Sequence, residues 1–402
     1  MAIEVRPCAP EELVAAVTPI WHYFGREPSH ESVPWLQRLL PSERMHAAHD
    51  SRAGIVGGAG VLPFTMTVPG ARVATAGVTV VGVLPTHRRR GILMAMMRKQ
   101  LDDVHERGEP LAALWASEGS IYGRFGYGLA SLSGSVDVRR EHGRFAAESA
   151  GDARMIDTAE ALEALPPLYD SIAAATPGMV SRSPDWWELR TLDDSEWRRG
   201  GAGGLTRVLL ELDGEPAAYA LYRLKMAWEH GSSTGSVNVV EAVGKTPAAT
   251  RAIWRFLLDI DWMQSVNASL LPVDHPLLLF VPEPRRLRFR VQDALWARLV
   301  DVGAALSART YAGEGSVVLA VTDAFCPWND GVWRVEAREA ERSFDEPELA
   351  LDVAALGSVY LGGFGFKQLA RAGRVEERAP GALERADALF ASEPAPWCPE
   401  IF

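Results

Sequence analysis

The sequence predicts an α+β protein with mixed sheets, built in three successive parts, and three observations lead there. Short β-branched runs alternate with segments of helical period, and residues 78–116 read strand, helix, strand, as a β-α-β unit does. A fainter copy of the same plan begins near residue 237, after a further hairpin. Beyond Pro282 the order of elements changes again. The 402 residues suit two or three domains at about 150 residues each, and the expected boundaries are 1–135, 136–288 and 289–402.

Taken in order, Ile3 to Arg6 is a short strand and Pro10-Glu11-Glu12 opens a helix that runs to about Phe24. From Gly54 small and β-branched residues form a strand, which a Pro69-Gly70 turn joins to the next, through Val73 to Val83. Glycines 57, 58 and 60 within this pattern mark close packing or a bulge. Gly91 to Arg107 is a helix, because Ile92, Leu93, Met96, Met97, Leu101 and Val104 recur at intervals of three and four; Gly108 stops it. Leu111 to Ala116 is a buried strand.

In the second part, Val208–Leu212 and Pro216–Leu224 form a hairpin turned at Asp213-Gly214. The strand Val237–Val243, a short loop and a helix from Pro247 to Asp259 repeat the plan of the first unit without its arginines, as in a duplicated fold that has lost its ligand site. In the third part Leu295–Tyr311 reads as helix, Ser316–Thr322 and Gly331–Ala337 as strands, and Leu349–Leu361, Phe366–Ala372 and Pro380–Phe390 as helices. The chain ends Pro396-Trp-Cys-Pro-Glu-Ile-Phe402 with no polar tail, so this end is expected to be packed.

Composition narrows the function. The formal net charge of −11 argues against nucleic-acid binding and fits a cationic ligand, with solubility alone as the plain alternative. No run of about 18 apolar residues exists to cross a membrane. The first residues lack the basic and apolar blocks of a secretory signal, so a cytoplasmic protein is expected. Three scattered cysteines give neither a disulfide framework nor a metal site. His46 and His49 read as surface histidines, and Gly244-Lys245-Thr246 fails as a phosphate loop because Val239 stands where a glycine is needed.

The chemistry concentrates in two segments. In the first, Val78 to Gly91, a strand ends, a loop carries Arg88, Arg89 and Arg90, and a helix begins after Gly91. A helix start offers unpaired N–H groups and the positive end of its dipole, so this arrangement suits a pyrophosphate. A solvated loop face is the plain alternative. The second is Ser117-Glu-Gly-Ser-Ile-Tyr122-Gly-Arg-Phe-Gly126-Tyr127-Gly128, where a strand gives way to a helical turn and a glycine-rich bend.

Together these segments resemble the acetyl-coenzyme A site of the GNAT-superfamily N-acetyltransferases: Arg88-x-x-Gly91 resembles the pyrophosphate loop, and Tyr122-x-x-x-Gly126-Tyr127 its tyrosine segment. Leu93 departs from the small residue that the loop pattern ends on. The wording Pro85-Thr-His-Arg-Arg-Arg-Gly91 with Ser117-Glu-Gly-x-Ile-Tyr122 is similar to the Eis family of aminoglycoside N-acetyltransferases, a likeness that extends over the whole chain. It implies two tandem GNAT-like domains, the second degenerate, a sterol-carrier-protein-like C-terminal domain, and a homo-hexamer.

The resemblance also implies roles. Acetyl-CoA, with no metal, would lie along the backbone of Val81 and Val83 like an added strand, its phosphates on Arg88, Arg89, Arg90, Gly91 and Ile92, with Ser117 beside the thioester. Tyr122 would be the general acid and the terminal carboxylate of Phe402 the base that takes a proton from the attacking amine. Phe24, Glu27, Trp35 and Glu400 are the residues expected to meet a polyamine substrate, each with a packing role as its alternative. Acetylation of protein lysines, or lipid binding with idle acetyltransferase sites, are the rival readings; the intact loop and Tyr122 argue against idleness.

Overall fold

The computed structural model describes residues 3–27, 32–145, 151–312, 314–337 and 339–402. The chain forms two compact units. The first comprises Met1–Ser131, Ala294–Glu393 and Ile401–Phe402, and the second Leu132–Asp293 and Pro394–Glu400.

The first unit is organised by a sheet of β1 (Ile3–Pro7), β2 (Met45–Asp50), β3 (Gly54–Val68), β4 (Ala71–Val83), β5 (Leu111–Trp115), the strand Leu295–Leu299 and β6 (Gly128–Leu129), side by side in that order. Its helices include α1 (Leu13–Tyr23), α2 (Ser32–Leu39), α3 (Ile92–Glu106) and α4 (Gly119–Tyr122). Among the described residues of this sheet only β4 and β5 run parallel, the β-α-β crossover through α3 that the sequence predicts. α3 buries Met96, Met97, Leu101 and Val104, the apolar positions of its helical period. α1 approaches β3 closely because Gly58 has no side chain: a Cβ there would lie 2.0 Å from the Ala16 carbonyl oxygen. The register of β3 and β4 slips between Gly58 and Gly60, and opposite the slip Val80 takes φ +48°, a conformation β-branched residues avoid.

A second sheet of this unit orders Ala340–Arg342, Gly331–Glu336, Ser316–Thr322, Leu349–Asp352 and Val375–Glu377, with helices Val353–Tyr360, Phe366–Arg371 and Ala382–Phe390. Two expectations fail here. Leu295–Tyr311 is a strand, Leu295–Leu299, followed by a helix, Val302–Ala308. The strand lies between β5 and β6 with Leu295 and Ala297 to Leu299 all buried, so its apolar run shows no alternation and imitates a helix core. Leu349–Leu361 divides likewise into strand Leu349–Asp352 and helix Val353–Tyr360. In both, an aspartate caps the helix start: Asp301 accepts from the Ala304 N–H at 2.8 Å and Asp352 from that of Ala355 at 2.6 Å.

His46 is a third correction. It lies on β2, wholly buried, and burial pushes its pKa down.

The second unit repeats the design. Its sheet orders Arg290–Asp293, Leu132–Arg139, Met263–Leu271, Gly235–Gly244, Glu215–Lys225, Thr206–Leu212 and Asp152–Met155. Gly235–Gly244 and Met263–Leu271 are its parallel pair, crossed by the helix Pro247–Asp259. The tail Pro394–Glu400 is tied in: the Trp397 N–H donates to the Pro177 carbonyl at 2.8 Å and its indole N–H to that of Leu270 at 2.5 Å. Among the described residues no helix is long and apolar enough to cross a membrane.

Candidate active site

The site starts from a fork in the first sheet. β4 pairs with β5 only at Thr75, Ala76 and Gly77, opposite Leu111, Ala112 and Ala113, then continues through Val83 without that partner. The Leu84 N–H donates to the Val56 carbonyl at 2.8 Å, so by ladder alternation the peptide groups of Val83 turn away from β3. The Val83 carbonyl there accepts the Tyr23 hydroxyl at 2.9 Å. An open strand edge of this kind is what an extended amide chain can join.

Beyond the edge, Pro85–His87 forms one tight turn, held by the His87 imidazole at 3.8 Å from the Asp50 carboxylate and by Thr86 Oγ1 at 2.8 Å from His87 Nδ1. Arg88, Arg89 and Arg90 are exposed. Arg89 (φ +62°) and Gly91 (φ +77°) are both left-handed, and Gly91 enters α3 with no side chain capping the first N–H groups. A Cβ at Gly91 would meet nothing within 4 Å, so the approach to these amides is open. Three cations and a bare helix start fit a diphosphate. Leu93, the departure from the loop pattern, packs into the apolar clusters beneath α3, and Ile92 is buried with it.

Tyr122 ends α4 with 8% of its surface exposed. It belongs to the same apolar cluster as Ala76 and Val78 of β4, against which the partly buried Val81 packs. Burial, helped by the negative charge of Glu118, raises its pKa to about 12. Its ring stands edge-on to Tyr127, centroids 6.0 Å apart. Ser117 is exposed just past the end of β5.

Phe402 lies in the same unit, its ring edge-on to Phe64 at 4.9 Å. Phe64 in turn covers Gly77, where a Cβ would come within 2.5 Å of the ring. Two successive contacts thus lead from Phe402 to the last paired residue of the fork. Phe24 and Glu27 are exposed just beyond α1, and Trp35 is half-buried on α2. Glu400 belongs to the second unit, where its carboxylate lies 2.5 Å from Arg182 Nε, and Arg182 also binds Glu241. Arg182 further stacks over Tyr169, 3.8 Å from the ring centre. The carboxylate of Glu400 is therefore already paired with a buried cation, which it shares with Glu241.

Sequence reasoning missed Tyr23, Arg298 and Asp323. Nothing in the sequence distinguishes Tyr23. Arg298 carried a signal: a cation inside the run Leu295-Trp-Ala-Arg-Leu-Val must find a buried partner.

Residues 4–130 and 178–299 each match an acetyltransferase (GNAT) domain, and residues 302–399 match a sterol carrier protein domain. An uncharacterized N-acetyltransferase of Streptomyces avermitilis is 44% identical over 384 residues, covering 94% of this chain and 93% of that protein. N-acetyltransferase Eis of Mycobacterium tuberculosis H37Ra is 34% identical over 380 residues, 90% of each chain. The crystal structure of Eis1 from Mycobacterium abscessus has a TM-score of 0.87 at 35% identity, covering 99% of this chain and 100% of that one. The chain belongs to the Eis family of GNAT-superfamily N-acetyltransferases. It is an acetyltransferase with two GNAT domains followed by a sterol-carrier-like domain.

Proposed function

We propose that this enzyme acetylates amines of aminoglycoside-type polyamines, at more than one position, in a single direct transfer. The observation that carries the reading is the fork itself: an open strand edge, an uncapped helix start with three arginines, and a buried tyrosine converge on one stretch of β4. Acetyl-CoA supplies the activated acetyl thioester. Val81 and Val83 hold its amide arm, Arg88, Arg89, Arg90, Gly91 and Ile92 its phosphates, and Ser117 lies beside the reacting carbon. The division into domains 1–135, 136–288 and 289–402 and assembly as a hexamer belong to the same reading.

The residues of the chain then move protons. An alkyl ammonium must lose a proton before its nitrogen can attack, and the Phe402 carboxylate accepts it, directly or through water. Exposed Glu27 and the net charge of −11 favour a cationic acceptor. Tyr122 stays protonated at neutral pH. Its hydroxyl, at about 12, is a weaker acid than a thiol near about 8.5, so outright transfer to the leaving sulfur is uphill. The hydroxyl instead donates a hydrogen bond as charge develops on sulfur, and the proton shed by the new amide nitrogen follows.

Thiol release with acetyl-CoA and kanamycin or neomycin tests this reading. Release beyond one equivalent of antibiotic is expected, and a chain extended by a few residues after Phe402 loses it while melting at the same temperature. No release with any polyamine would favour lipid binding instead, and full activity of the extended chain would remove Phe402 from the mechanism.

A further inference from the structure

The turn that carries Tyr122 is braced from outside as well as from within. α4 passes directly into a single tight turn, Gly123–Phe125, and Gly126 reverses the chain at φ +82°. Within the turn, the Gly126 N–H donates to the Gly123 carbonyl at 3.0 Å and that of Tyr127 to the Tyr122 carbonyl at 3.3 Å. Arg124 Nε adds a local bond to the Ile121 carbonyl at 3.1 Å, and further support comes from residues far along the chain. Arg298 Nη1 donates to the Phe125 carbonyl at 2.6 Å, and Nη2 pairs with Asp323 at 2.6 Å. Both side chains are essentially shut off from solvent, at 0% and 1% exposed.

Asp323 is itself fixed. It accepts the N–H groups of Phe325 at 3.1 Å and Cys326 at 2.9 Å, and the Asn329 side-chain amide at 2.9 Å. Phe325 then stands edge-on to Phe125 at 5.2 Å. Glycine at 126 and 128 makes room for this support: a Cβ on Gly126 would lie 1.5 Å from Arg298 Nη1, and one on Gly128 1.8 Å from the Ala354 carbonyl oxygen. A buried guanidinium with a bound carboxylate, aimed at one carbonyl of a four-residue bend, is a rigid strut. An apolar pair would fill the space without fixing the carbonyl.

We propose that Arg298 and Asp323 are positioning residues for acetyl transfer: Asp323, in the sterol-carrier-like domain, holds Arg298 of the sheet strand Leu295–Leu299, and together they set the Tyr122 hydroxyl at the reacting sulfur. This gives that domain a part in catalysis separate from any lipid and from Phe402. The inference rests on the reading of Tyr122 as the hydrogen-bond donor to the leaving sulfur. It also explains why a cation occupies the otherwise apolar strand Leu295–Leu299.

The test is a double-mutant cycle on the full chain. Arg298→Lys keeps the charge but loses the fork, and Asp323→Asn keeps an acceptor; both are checked for folding by thermal melting, and the milder of the two serves if the other does not fold. About a 10- to 100-fold loss of kcat is expected, the scale of a sub-ångström to 1 Å misplacement, with KM for acetyl-CoA within about twofold. In a Tyr122→Phe background the same substitution should cost nothing more. Losses that multiply, unchanged kcat, or a rise confined to KM would overturn the positioning role alone. Near-normal turnover of Tyr122→Phe by itself would overturn the donor reading, and the positioning role with it.

Discussion

The two acetyltransferase domains make the same turn from strand to helix and end it differently. In the first, β4 leaves its parallel partner after Gly77, Leu84 to Gly91 form a long loop, and α3 begins at a left-handed glycine with no side-chain cap. In the second, Gly235–Gly244 is followed by Lys245 and Thr246 alone before the helix Pro247–Asp259. Thr246 Oγ1 accepts the Ala249 N–H at 3.1 Å, and Pro247 at the first helical position has no N–H to leave unpaired. The loop is also tight: a Cβ on Gly244 would lie 2.5 Å from the Thr250 nitrogen. A helix start that caps itself has nothing to offer an anion, whereas one left bare by its own sequence is completed by a ligand.

The largest effect expected from breaking this contrast lies in the chemistry of the first domain. Tyr122→Phe should lower turnover by roughly 10²–10³-fold, as loss of a hydrogen-bond donor to a developing charge does, with acetyl-CoA binding kept. Steady-state kinetics beside calorimetric binding reads both. The second domain has buried tyrosines too, Tyr169 and Tyr219, but they face the Arg182–Glu241 pair, and no loss of chemistry is expected from them.

A smaller effect compares the buried histidines. His275, in the second unit, accepts the Leu277 N–H at 3.0 Å, and burial lowers its pKa to about 4. The folded state keeps it neutral while the unfolded chain protonates near about 6.5, so stability falls as pH drops below that value and stops falling near about 4. Lowering the pH to 5 should cost about 2 kcal/mol through this group. Urea unfolding against pH measures it, and His275→Asn, which keeps an acceptor, should flatten the slope. His46 in the first unit shifts the same way, for the same reason.

The smallest effect sharpens the contrast from the other side. Thr246→Ala should remove about 1 kcal/mol of stability, the usual worth of a helix cap, and leave acetyl-CoA affinity and turnover untouched. A change in affinity would mean that the second helix start takes part in binding.

Both domains, the hairpin at Pro69-Gly70, α3 and the arginine loop were legible because local rules suffice for them: period, turn residues and helix-start chemistry. Leu295–Leu299 was not. A strand buried on both faces shows no alternation, and its neighbours, β5 and β6, come from far earlier in the chain. The same distance hid Arg298 and Asp323, whose meaning appears only when they meet the Phe125 carbonyl. His46 looked exposed because a lone histidine among small residues has no pattern to betray a central strand. Glu400 was expected near an amine, but an arginine more than two hundred residues upstream already holds it.

Calorimetric titration of the full chain with acetyl-CoA tests the central contrast most directly, on the wild type and on Gly91→Ala. One molecule per chain is expected, with affinity reduced by about 10-fold or more in the variant, since the left-handed backbone of Gly91 (φ +77°) is strained for alanine. Two molecules per chain, or unchanged binding in the variant, would contradict it.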